Sequence, residues 1–376
     1  MINKLFAKRL FDGQQYLSDV SITIENGYIS ALVANDESTA SSYIIEDLIA
    51  PGFVDLQVNG GGGVLFNAEP SLEGLKKMLA AHGQFGTTAM LPTVISDSID
   101  VMEQAANAVA EAIATNEPGI VGVHFEGPHL AEAKKGAHSP HFFREITERE
   151  WQLFSRKDIG QVLVTIAPET VAVDQIERLI ALGVNVSLGH SNASFEQAQQ
   201  AFSAGCNGVT HLFNAMSPFT SREPGLVGAA LLNDNIYCGL IADGHHVDFH
   251  SCQLALKAKP QGNIFLVTDS MSTVGTQITS FDFFDRKVYL SHGKLTSTTG
   301  ELAGSALDMN TAVRNVIEFM NMPLEEALRM AALYPANYIN DLTRGRISVG
   351  SRADFVQLDK NINVVSTWIS GEQIVH

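Results

Sequence analysis

Between residues 52 and 269, short apolar runs alternate with amphipathic stretches. The runs are GFVDLQV (52–58), TTAMLPT (87–93), IVGVHFE (120–126) and VLVTIAPE (162–169), then VNVSLGH (184–190), GVTHLF (208–213), YCGLIAD (237–243) and IFLVTD (264–269). Each reads as a buried strand. Between them, stretches such as LEGLKKMLAAHGQF and SIDVMEQAANAVAEAIA place apolar residues at i, i+3 and i+4, the spacing of a helix with one buried face. Eight buried strands separated by helices predict a (β/α)8 barrel of the TIM type rather than a doubly wound sheet.

Both chain ends follow a different period. VSITIENGYISALV alternates in the strand manner about Asn26-Gly27 and predicts a hairpin. ADFVQLD and VVSTWISGEQIV, turning at Ser370-Gly371, behave similarly. The expectation is a small β-sandwich domain built from residues 1–50 and 343–376, beside a catalytic barrel of residues 51–342. No internal repeat and no low-complexity tract interrupts the pattern.

Composition narrows the partners. Hydrophobic residues are 45% of the 376 and charged residues 17%, a balance that supplies a generous core. The formal net charge of −17, with no Lys/Arg-rich run, argues against nucleic acid and anionic membranes. A small anionic substrate would need a local basic pocket. Cys206, Cys238 and Cys252 form no C-x-x-C pair, a reduced, cytosolic pattern. Lys4, Lys8 and Arg9 break the first residues before an apolar leader can form, and no run approaches the ~18 apolar residues of a membrane helix. A cytoplasmic protein is expected.

In such a barrel the chemistry gathers at the C-terminal ends of the strands. Those ends hold Gln57, Thr93, Glu126, Glu169, His190, His211, Asp243 and Asp269. A lone rim histidine is more often a hydrogen-bonded structural residue, and a lone carboxylate more often a helix cap. Glu126, His190 and His211 together make a His2Glu set, three zinc-type ligands with one position open for water. Asp269 is placed to move a proton to and from such a water. His138, in KKGAHSP, lies in a loop that can reach a carbonyl oxygen, or else is a solvated loop residue. REPGLVG and DGHH offer Arg222 and two histidines to a phosphate, although Arg222-Glu223 also reads as a surface charge pair. Gln57 and Asn59, two apart on the first strand, aim together at the space opened by four glycines, 60–63.

PGFVDLQVNGGGG, HFEGPHL, KKGAH, SLGHS, THLFNAM, REPGLVG, IADGHHVD, LVTDS and ELAGSAL occur in that order. Over residues 50–310 this series resembles that of the N-acetylglucosamine-6-phosphate deacetylases, in the amidohydrolase superfamily. It continues faintly through LYPA (333–336) and GRISVGSRADFV. The resemblance implies Glu126, His190 and His211 as metal ligands, Asp269 as catalytic acid and base, and His138 on the acetyl carbonyl. It implies substrate contacts at Asn214, Ala215, Arg222, His246 and the Leu302-Ala303-Gly304 loop. Arg222 and His246 would meet the phosphate, across a homodimer interface. Ala137 stands where family members often carry a hydroxyl, so only its backbone could serve.

The implied reaction is hydrolysis of N-acetylglucosamine 6-phosphate to glucosamine 6-phosphate and acetate. N-acetylgalactosamine 6-phosphate is the alternative substrate. Cyclic amidases of the superfamily generally carry His-x-His on the first strand and often a carboxylated lysine on the fourth. Gln57-Val58-Asn59 and Glu169 weigh against them. A non-catalytic sugar-phosphate-binding barrel predicts loss of Asp269 or a ligand, and none is lost. Because neutral amides are feeble ligands, one divalent metal per chain is expected, zinc first, with iron(II) also accepted. Gln57 would then steer the water or the acetamide.

Overall fold

The computed structural model describes residues 4–34, 43–284, 286–298 and 300–374. The first strands are β1 (Lys4–Phe11), β2 (Tyr16–Glu25), β3 (Tyr28–Val33) and β4 (Ile44–Pro51). The predicted hairpin joins β2 to β3 through Asn26 and Gly27, both at the positive φ that a tight two-residue turn requires. Next come β5 (Phe53–Val58), the small hairpin β6 (Gly60–Gly61) and β7 (Val64–Leu65), and β8 (Thr87–Ile95). They are followed by β9 (Gly122–Glu126), β10 (Gln161–Ile166), β11 (Asn185–Leu188), β12 (Gly208–Val209), β13 (Tyr237–Leu240) and β14 (Ile264–Leu266). An antiparallel insert follows: β15 (Ser280–Phe283), β16 (Arg286–Ser291) and β17 (Lys294–Ser297). The chain returns through β18 (Phe355–Leu358), β19 (Val364–Ile369) and β20 (Glu372–Ile374).

All eight predicted apolar runs form strands, in the parallel order β14-β13-β12-β11-β10-β9-β8-β5. The ring closes where Asp269 N donates to Gln57 O at 2.9 Å and Val58 bridges Ser270 in parallel. The barrel expectation holds. Helices Leu72–Gly83 and Ile99–Ala114 occupy the predicted amphipathic stretches. Each begins at a serine, Ser71 or Ser98, whose hydroxyl accepts an otherwise orphaned first-turn N–H.

The strands from both chain ends pair as one seven-stranded sheet, β20-β19-β18-β4-β1-β2-β3, with β1 and β4 parallel. Its period-2 pattern divides its side chains between two cores. Leu48, Ala50, Val356 and Ile369 join the barrel's core, whereas Ile49, Phe355 and Trp368 pack with Leu5, Leu10 and Ile22 in a separate cluster.

All the barrel ladders but β8 are shorter than their apolar runs. They stop at Leu188, Val209 and Leu266, just before His190, His211 and Asp269. Those three residues take φ of 47°, 33° and 52°. Non-glycine residues adopt such angles at a cost of about 1–3 kcal/mol each, and they cluster at functional sites. The turn out of the strand swings each side chain over the barrel mouth.

Candidate active site

Three donor atoms converge at that mouth. Glu126 Oε1 lies 3.1 Å from His190 Nε2 and 2.9 Å from His211 Nε2, and the two imidazole nitrogens are 3.0 Å apart. All three residues are buried. His190 Nδ1 donates to the Lys134 carbonyl at 2.9 Å, which leaves a lone pair on Nε2. A carboxylate oxygen and imidazole lone pairs facing one another at such distances repel unless positive charge lies among them. Without a metal, protons supply that charge: burial disfavours it, but the bonds from His190 and His211 hold Glu126 well below the usual carboxylate range. Burial likewise lowers His211, yet its bond to Glu126 raises it above the ordinary imidazole value. A divalent cation fits the same set of donors, two nitrogens and one oxygen.

A His138 ring nitrogen also lies within 4.8 Å of the Glu126 and His190 donor atoms. Its tautomer gives it another role. Ser96 N–H donates to His138 Nδ1 at 3.3 Å, and Ser96 Oγ lies 2.8 Å from the same atom. A nitrogen that accepts a backbone N–H carries no proton, so the hydrogen sits on Nε2. Burial and the neighbouring His190 keep the ring neutral, holding its pKa well below the ordinary value. His138 is thus a neutral donor beside the cluster.

Asp269 is held by the two amides of the first strand. Gln57 Nε2 donates to Asp269 Oδ1 and to Glu126 Oε1, both at 3.1 Å, and Asn59 Nδ2 donates to Asp269 Oδ1 at 2.7 Å. Burial and the Glu126 charge push Asp269 up, while His211, His246 and the Asn59 bond pull it down, leaving it at about 6. Such a carboxyl can accept and return a proton near neutral pH.

A cavity of about 530 Å³ opens above these groups. Asp269, His138, His246, Asn214, Ala215 and Ala137 line it, as do Leu302 and Gly304. Asp243 orients His246, its Oδ2 lying 2.7 Å from His246 Nδ1. Three expected substrate residues stand elsewhere. Gln57 lies behind Glu126 and Asp269 and is not part of the lining, because its amide is turned down onto the two carboxylates. Ala303 is buried against the β15–β17 insert, leaving its neighbours Leu302 and Gly304 at the cavity. Arg222 is exposed on a loop outside the lining.

Other strand ends carry structure rather than chemistry. Thr93 falls within β8, which runs on to Ile95, and its hydroxyl accepts from Val58 N. Glu169 ties down Ser191 and Asn192 behind His190. Ser96, which sets the His138 tautomer, and Lys134 and Lys135, which line the cavity, lie outside the apolar runs that mark the strand ends. The KK dipeptide beside Gly136 was the available signal.

A closed parallel barrel with two carboxyl groups and two imidazoles gathered at its mouth is the arrangement of a metal-dependent hydrolase. The chain belongs to the amidohydrolase family, whose sequence model matches residues 48–374. It is 52% identical over 324 residues to an N-acetylgalactosamine-6-phosphate deacetylase of Shewanella sp. (strain ANA-3), covering 86% of this chain and 82% of that protein. It is 34% identical to an N-acetylglucosamine-6-phosphate deacetylase of Haemophilus influenzae, with 95% of each covered. The crystal structure of the N-acetylglucosamine-6-phosphate deacetylase of Pasteurella multocida superposes with a TM-score of 0.94 at 34% identity, over 99% of each chain.

Proposed function

We propose that this chain hydrolyses the acetamide of N-acetylglucosamine 6-phosphate, giving glucosamine 6-phosphate and acetate. The observation that carries the reading is Asp269, clamped by Gln57 and Asn59 beside the Glu126–His190–His211 triangle. Those three residues would hold one divalent ion, which supplies a Lewis acid and an acidified water when bound.

The protein's own groups do the rest. His138 Nε2–H donates to the acetyl oxygen and stabilises the charge that develops there. Both amides occupy Asp269 Oδ1, which leaves Oδ2 to take the proton of the attacking water. Asp269 then returns that proton to the departing nitrogen, without which an amine does not leave. His246, Lys134 and Lys135 form the basic part of the cavity, and with Arg222 of a second protomer they would receive the phosphate. Asn214, Ala215 and the backbones of Ala137, Leu302 and Gly304 would contact the sugar.

This reading extends to zinc or iron(II) as the ion, a homodimer in the cytoplasm, and residues 1–50 with 343–376 as one unit beside the barrel. Among the described residues no helix is long and apolar enough to cross a membrane. N-acetylgalactosamine 6-phosphate is the second reading, favoured by the 52% identity to the Shewanella protein. Acetate release from the two sugar phosphates tests both. The larger kcat/KM names the substrate, and release from neither rejects the function.

A further inference from the structure

We propose that the catalytic cavity continues into an acyl-side subsite, so that this enzyme removes N-acyl groups longer than acetyl from its sugar phosphate. The proposal rests on the deacetylase reading above and names its acyl scope.

A second cavity of about 250 Å³ lies against the first. Asn59, Ile95 and Phe283 line both. Asn59 is itself bonded to Asp269, so the second space begins one side chain away from the acid–base group. Its apolar lining, Leu65, Ala68 and Phe284 with the shared Ile95 and Phe283, suits an alkyl chain.

Charge decides which end of the substrate enters. Asp97 and Asp282 line the second cavity, and no Lys, Arg or His among the described residues does. A phosphate there would face carboxylates, a repulsive placement that costs far more than it returns. The main cavity also carries carboxylates, Glu126, Glu132, Asp269 and Glu301, but there Lys134, Lys135 and His246 stand among them. The uncharged end of the molecule is therefore the one that fits beside Asp97 and Asp282.

Strand order points the same way. Ile95 ends β8, and Asn214 follows β12; in the ring of eight these strands are four apart, on opposite sides of the mouth. A trans amide is planar and holds its nitrogen and acyl substituents on opposite sides. With the sugar phosphate toward Asn214 and His246, the acyl tail points toward Ile95 and the second cavity. The chemistry is unchanged. The amide C–N bond breaks, the acyl carbon takes the oxygen of water, the amine takes its proton, and a longer carboxylate leaves in place of acetate.

The test uses the metal-loaded full chain with N-acetyl- and N-butanoylglucosamine 6-phosphate, measuring release of the free amine. The expected wild-type kcat/KM for the butanoyl substrate lies within about tenfold of that for the acetyl one, since a methylene that a pocket cannot hold costs about 10–200-fold and the second cavity has room for both added methylenes. Ala68→Phe, on an exposed position that lines only the second cavity, should leave N-acetyl turnover unchanged and cut N-butanoyl turnover at least tenfold. N-acetyl turnover in the same variant reports that it has folded. A wild-type butanoyl rate more than tenfold below the acetyl rate, or an equal loss on both substrates in Ala68→Phe, overturns the subsite. Failure on both substrates by the wild type overturns the deacetylase reading, and the subsite with it.

Discussion

Asn59 and Asp269 meet at the seam where the barrel closes, with Asn59 Nδ2 donating to Asp269 Oδ1 at 2.7 Å. Gln57 donates to the same oxygen and also to Glu126. The first strand thus carries two amides that hold the two carboxylates in place. Amides serve because they donate without adding charge to a crowded anionic site. Asn59→Ala should lower kcat by about 10²-fold, the scale of a misplaced catalytic group, with KM and metal content unchanged. Steady-state kinetics with metal analysis checks this. An equal rise in KM would make Asn59 a substrate contact.

Asp55 supplies a pH dependence of stability. It is fully buried at the same seam and accepts from Thr268 Oγ1 at 2.5 Å, Gln57 N at 3.2 Å and Thr268 N at 3.3 Å. Burial outweighs these bonds and pushes its carboxyl from 3.8 to about 7. The folded chain therefore keeps the proton over a range where the unfolded chain has lost it. Stability from this group falls as pH rises from about 4 to about 7, by about 4 kcal/mol in all. Asp55→Asn keeps the shape and removes the charge, so urea midpoints at pH 5 and pH 8 should draw together. An unchanged difference would exclude Asp55 as its source.

Gly208, on β12, makes room for Tyr338. A Cβ there would come within 2.0 Å of the buried Tyr338 hydroxyl. Gly208→Ala should destabilise the fold by about 1–3 kcal/mol through overpacking. Tyr338→Phe in the same chain should recover part of that loss, and a double-mutant cycle in urea measures the coupling. Strict additivity would show that the two positions do not press on each other.

Arg222 lies on an exposed loop, outside the lining of its own chain's cavity. If it serves a partner's phosphate, Arg222→Ala should weaken the phosphorylated substrate far more than N-acetylglucosamine. Mixing Arg222→Ala with Asp269→Asn protomers should then restore activity, since one site in each mixed dimer regains both residues. Absence of recovery, with subunit exchange verified, would place Arg222 outside the partner's site.

The barrel was legible because parallel strands buried on both faces write themselves as continuous apolar runs. The Glu126–His190–His211 set was legible because Glu126 and His190 end their runs and His211 stands two residues before the end of its own. The finer geometry was not. His190, His211 and Asp269 stand beyond their ladders at positive φ, and neither apolar periodicity nor residue type reveals that turn. The role of Gln57 depends on a contact with Glu126 across 69 residues, and that of Ser96 on one with His138 across 42. The β15–β17 insert that brings Phe283 to the cavity has mixed burial along short strands and left no strong pattern.

Acetate release from N-acetylglucosamine 6-phosphate by the wild type and by Asp269→Asn, at measured metal content, tests the central claim most directly. The expected result is one divalent metal in each protein, steady release by the wild type, and release lower by about 10²–10⁴-fold in the variant. Near-equal rates at equal metal content, or no release by a metal-loaded wild type from either sugar phosphate, would contradict it.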